Sequence, residues 1–88
     1  MLEKTIKAHV RKRLKQLGAY YFFPVQMGLG DTTLDILGCY QGKFFAIETK
    51  RTGGKLTPRQ IITIEEIKKA GGRVLVIDNR QDAANINF

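Results

Sequence analysis

The stretch LDILGCYQGKFFAIETK (residues 34–50) decides the architecture. Two apolar and aromatic runs, 34–40 and 43–50, flank Gln41-Gly42, a two-residue turn signal, and together they predict an antiparallel hairpin. If the turn uses Gln41 and Gly42 alone, Tyr40 faces Lys43, and counting outward sets Asp35 opposite Glu48. Directly opposed side chains have Cβ atoms about 4.5–5.5 Å apart, and like charges there are destabilising unless something compensates. A divalent cation is one such compensation, because Mg²⁺ is held by one or two carboxylates with waters and phosphate completing its octahedron. Lys50 lies two residues beyond Glu48 and therefore on the same face. In this register Asp35, Glu48 and Lys50 converge. A glycine bulge at Gly42 would slip the pairing by one and send the carboxylates to opposite faces.

Upstream, Leu2, Ile6, Val10, Leu14 and Leu17 fall at spacings of four and three, the stripe of an amphipathic helix that Gly18 stops. Lys4, Lys7, Arg11, Lys12, Arg13 and Lys15 occupy its other faces. The run 20–25 reads as a strand near a sheet edge because Pro24 lies within it, and 26–33, with Gly28, Gly30 and Asp31, reads as a loop. Downstream, Thr57-Pro58-Arg59-Gln60 supplies an N-cap, a proline at the first helical position and a glutamine three residues after the cap. That helix ends at Gly71-Gly72, and 73–77 follows as a short strand. Strand, helix, strand makes a βαβ unit, so the third and fourth strands are expected to be parallel with a right-handed crossover, and the sheet to be mixed. The tail from Asn79 to Phe88 fits a last helical turn or a strand.

At 88 residues and 10.0 kDa the chain is expected to form one domain with a small core, for which dimerisation would add burial. Fifteen Lys and Arg against eight acidic residues leave a formal charge of +7, which favours polyanionic partners. No segment approaches the ~20 apolar residues of a membrane span, so no membrane partner is expected. Cys39 is the only cysteine, which excludes intrachain disulfides and cysteine-based zinc clusters and suits a reducing, cytoplasmic compartment. The absence of serine excludes serine hydrolysis, and Cys39 inside an apolar strand is expected to be buried and inert.

The ordered set of Gly30, Asp35, the run Gly42 to Arg51 with Glu48-Thr49-Lys50, and Gly54-Lys55-Leu56-Thr57-Pro58-Arg59-Gln60 resembles the PD-(D/E)XK nuclease superfamily. Within it the chain is most similar to the VRR-Nuc family of viral and repair nucleases, over most of its length. The resemblance implies an α/β, restriction-endonuclease-like fold, an αβββαβ core whose mixed central sheet is flanked by helices. It implies a Mg²⁺- or Mn²⁺-dependent endodeoxyribonuclease, with Asp35, Glu48 and the Thr49 carbonyl as metal ligands and Lys50 as the catalytic lysine. Glu3 matches an acidic residue of the first helix, and Gln60 a polar position on the helix after the Glu-x-Lys strand. Lys4, Lys7, Arg11, Arg51 and Lys55 are the expected nucleic-acid contacts. Where the family carries a proline before the aspartate, this chain has Leu34.

Each of these residues also has a plainer reading. Asp35 can bond strand-end amides, Glu48 and Lys50 can form a same-face ion pair worth about 0–1 kcal/mol, and Glu3 is favourable in any first helical turn. Gln60 is explained by the capping box alone. The rival function is a non-catalytic basic module that binds nucleic acid, for which the first helix and the net charge suffice. A homodimer acting on branched DNA such as Holliday junctions is the preferred assembly, since two cuts need two sites. Candidate interfaces are the run from Tyr20 to Phe23, the apolar side of the first helix, and Ile86-Asn87-Phe88, although for any one of them ordinary core burial is the better reading.

Overall fold

The computed structural model describes residues 1–25 and 30–88; the first half of the expected loop, 26–29 with Gly28, lies outside them. The element order is α1 (Glu3–Leu17), β1 (Tyr20–Phe22), β2 (Ile36–Tyr40), β3 (Lys43–Thr49), α2 (Pro58–Lys69), β4 (Arg73–Ile77) and α3 (Arg80–Ala84). The strands form one sheet in the order β1-β2-β3-β4, antiparallel except for the parallel pairing of β3 with β4. This is the αβββαβ architecture with a mixed sheet, and the tail resolves into a short helix capped by Asn79.

The hairpin turn is tight and carries no bulge. Gln41 and Gly42 both have positive φ, 50° and 80°, the pattern of a turn whose twist matches the flanking strands. Tyr40 pairs with Lys43 and Ile36 with Ile47, so the slipped register is excluded. β1 is shorter than the expected 20–25 and stops two residues before Pro24, which has no N–H to give a ladder. β2 begins at Ile36 and not at Leu34: Leu34 is fully buried in the cluster beneath α2, and Asp35 turns to side-chain bonding.

Alternation along the strands sends residues to two layers. One face packs Ile36, Phe45, Ile47 and Ile77 against Ile6, Val10 and Leu14 of α1, with Ala83 and Ile86 of the C-terminal segment. Phe88 stacks on Phe45 at 4.3 Å between ring centroids. Gly38 makes this possible, because a Cβ there would run into the Phe45 ring and the Tyr20 carbonyl. The other face buries Ala46 under Ile64, with Leu37, Ile67 and Val74 around it. The apolar side of α1 and the Ile86–Phe88 tail are therefore core, and are withdrawn as interface candidates.

The run from Tyr20 to Phe23 divides. Tyr21 and Phe23 lean on the α1 layer, whereas Tyr20 and Phe22 point away, 68% and 46% exposed, beside Phe44 at 46%. Cys39 pairs with Tyr20 and Phe44 on that uncovered side. It is exposed, contrary to the expected burial, because α2 packs on β4 and its cluster reaches β2 at Leu37 but not at Cys39.

Candidate metal centre

The site forms where the β2–β3 ladder ends. Glu48 is carried by β3, the central strand paired on both sides, and is only 2% exposed. Asp35 lies one residue before β2, and its Oδ2 accepts from the Thr49 N–H at 3.0 Å and the Thr49 Oγ1 at 2.8 Å. The Asp35 N–H in turn donates to Glu48 Oε1 at 3.2 Å. The two acids are thus locked side by side by backbone donors, without needing a cation between them to fix the register.

Both helices contribute from their first turns. Glu3 of α1 brings a carboxylate oxygen to Asp35 and Glu48, and the three acids each offer an oxygen within 4.8 Å of the others. Lys7, one turn further along α1, places Nζ 3.8 Å from Asp35 Oδ1. From α2, Gln60 Nε2 donates to Glu48 Oε2 at 2.8 Å. The Gln60 N–H donates to Thr57 Oγ1 and its Oε1 accepts from the Thr57 N–H, so the capping box also orients the amide toward Glu48. Cap and site are one arrangement, and the plain capping reading of Gln60 was incomplete. Lys50 Nζ stands 3.7 Å from Glu48 Oε2, with a side chain 15% exposed, so this pair is largely buried and does not lie on an exposed strand.

Burial pushes the Glu48 carboxyl up from 4.5 to about 7, with the Asp35 charge adding to the rise and Lys50 opposing it. An all-oxygen, acidic cluster around a carboxylate that resists ionisation matches hard cations such as Mg²⁺ or Mn²⁺, which restore the ionised form by supplying positive charge. Glu3, Asp35 and Glu48 fit such an ion; the structure shows the Thr49 N–H and hydroxyl engaged with Asp35.

The sequence-derived cations disperse. Lys4, Lys7 and Arg11 share a groove on one flank of α1 with Glu3 and Phe23, where the Arg11 guanidinium lies 4.3 Å from the Phe23 ring centroid. Arg51 and Lys55 are exposed in the loop between β3 and α2. Arg13 is on another flank, its Nε donating to the Ile86 carbonyl at 2.9 Å, so the helix does not present one basic face.

No family model matches the sequence, and no curated protein matches it. Solved structures do: one described as a VRR_NUC domain aligns with a TM-score of 0.79 over 92% of this chain and 88% of its own, at 22% identity. The chain has the fold of a VRR_NUC domain. The fold brings the Glu3, Asp35, Glu48-Thr49-Lys50 and Gln60 positions of the sequence resemblance to one place. Among the described residues no helix of this VRR_NUC-like chain is long and apolar enough to cross a membrane.

Proposed function

We propose that residues 1–88 form a single nuclease domain that hydrolyses DNA phosphodiesters with Mg²⁺ or Mn²⁺, acting as a homodimer on branched DNA such as four-way junctions. The observation that carries this reading is the convergence of Glu3, Asp35 and Glu48 within 4.8 Å, with Lys50 Nζ beside Glu48, on a VRR_NUC fold. A bound ion supplies Lewis acidity toward the phosphoryl oxygen and lowers the pKa of a water. Glu3, Asp35 and Glu48 hold the ion, with the Thr49 carbonyl as a further ligand. Lys50 orients the nucleophile or stabilises charge developing on the phosphate. Gln60 positions Glu48. Lys4, Lys7, Arg11, Arg51 and Lys55 hold the DNA backbone, and recognition is by shape, since no cluster of base-reading side chains is evident. A purely binding module gains nothing from three acids beside its phosphate path.

The exposed Tyr20, Phe22 and Phe44, next to Cys39 on the open half of the sheet, support a dimer contact that α2 leaves uncovered. Cleavage assays on four-way junctions, flaps, single strands and linear duplex, with and without Mg²⁺ or Mn²⁺, test the function, and sedimentation equilibrium tests the assembly. Metal-dependent cutting of junctions by a dimer is expected. Tight DNA binding with no cleavage under any metal would leave the binding module as the correct reading.

A further inference from the structure

The charge on α1 is divided between two flanks. At about 100° per residue, Lys4, Lys7 and Arg11 lie roughly 150° around the helix from His9, Lys12, Arg13 and Gln16. The first set borders the acids. The second lines a separate cavity of about 150 Å³ together with Arg80 and Ala84 of α3. We infer that this cavity is a second phosphate site, which takes the backbone of a DNA segment other than the one presented to Asp35 and Glu48.

Three features of the cavity support the assignment. Its lining contains Lys12, Arg13, Arg80 and His9 and no acidic residue. Among the described residues the ion pairs are those of Lys7 with Asp35 and Lys50 with Glu48, so no carboxylate neutralises these cations. The acid of α3, Asp82, accepts from Asn79 Nδ2 at 2.8 Å and lines a different cavity beside Ile86. Arg13 is also fixed in place. Its Nε–H is held by the Ile86 carbonyl, which orders the guanidinium and leaves its other donors for an anion. Three cations, Lys12, Arg13 and Arg80, gathered around a cavity with no ion-pair partner among the described residues are a cost in the free protein and a gain when phosphate enters.

The two flanks face different sides of α1 and are assigned to different backbone segments. An α-helix with its side chains is about 10–12 Å across, so phosphates seated against Lys4, Lys7 and Arg11 are on the far side of α1 from this cavity. A linear duplex of about one turn, ~10 base pairs, satisfies the first flank alone. A junction offers another arm to the second. The inference rests on the nuclease reading for the first segment and adds to it a structural basis for preferring branched DNA.

The test is the salt dependence of binding by the whole chain, measured by fluorescence anisotropy on a four-way junction and on the short duplex. Lys12→Ala combined with Arg80→Ala removes two exposed cations and spares Arg13, whose bond to Ile86 is structural. Losing two phosphate contacts at about 0.9 each lowers the log K against log salt slope on the junction by ~1.8, equivalent to about a tenfold smaller loss of affinity between 50 and 200 mM salt. The slope on the short duplex keeps its wild-type value. Lys68→Ala with Lys69→Ala, an equal charge change at the end of α2, leaves both slopes unchanged. Equal slopes for the Lys12/Arg80 variant and wild type on the junction overturn this inference alone, as does an equal drop in the Lys68/Lys69 control. Saturable binding of inorganic phosphate that needs Lys12 and Arg80, with an unchanged junction slope, identifies a free-anion site and also overturns it. Failure of the wild type to bind any DNA overturns both this and the nuclease reading, whereas a pocket-dependent slope without cleavage refutes the nuclease and upholds the pocket.

Discussion

Removing the ionisable group of Glu48 should flatten the dependence of stability on pH. In the folded protein this carboxyl titrates at about 7, against 4.5 for the ordinary group, so the folded state holds the proton more tightly than the unfolded chain. Its contribution is therefore fully present below pH 4.5 and is lost as pH rises through about 7. The shift of about two and a half pH units corresponds to about 3 kcal/mol, at about 1.4 kcal/mol per unit. Urea denaturation in chelator between pH 4.5 and 8.5 should show that decline in the wild type. Glu48→Gln keeps the shape but turns an acceptor into a donor facing either the Asp35 N–H or Gln60 Nε2, a penalty of about 1–3 kcal/mol that does not vary with pH. The discriminating quantity is the slope and not the absolute stability. Subtracting the variant's curve from the wild type's isolates the Glu48 share. Mg²⁺ at about one hundred times its dissociation constant should return about 2.7 kcal/mol to the wild type at pH 8 and much less to the variant. Parallel curves for the two proteins would refute the reasoning, since they would mean that Glu48 ionises as freely folded as unfolded.

Asp35→Ala and Glu48→Ala should each abolish cleavage, on the order of 10² or more in rate, while DNA binding is kept or tightened; calorimetric Mg²⁺ titration should be silent for both. Lys50→Ala should lose rate yet give a wild-type metal titration, which separates the ammonium's role from the ligands'. Thr57→Ala should cost about 1 kcal/mol of stability as a lost cap; Gln60→Ala should cost a similar amount and also weaken the metal, because Nε2 no longer holds Glu48. Gly38→Ala should destabilise by about 1–3 kcal/mol or more in urea, as overpacking displaces the Phe45 ring from Phe88.

Much of the centre was legible because it depends on counting. The two-residue turn at Gln41-Gly42 sets the register, the register sets Asp35 against Glu48, and period two sets Lys50 on the same side. The capping box was equally readable, being local chemistry. What escaped was whatever depends on how layers cover one another. Cys39 has the same apolar neighbours whether α2 lies over it or not, and only the packing of α2 on β4 leaves it in solvent. Arg13 reads like its basic neighbours until the chain returns and presents the Ile86 carbonyl. The Gln60 cap is readable from three residues of sequence, whereas its bond to Glu48 on β3 has no local signal and is implied only by the family resemblance.

The placement of Glu48 on the interior strand has a consequence for how the centre responds to fluctuation. Backbone amides of β3 are bonded between β2 and β4, so their hydrogen exchange should proceed only through opening of the whole sheet, whereas β1 and α3 at the periphery exchange sooner. Glu3 and Gln60, by contrast, come from the first turns of α1 and α2, and α1 starts without a side-chain cap. Helix ends fray before interior strands do. The centre thus has one wall as rigid as the fold and another built from the first turns of α1 and α2, so ligand geometry can be modulated at Glu3 or Gln60 without unfolding the sheet.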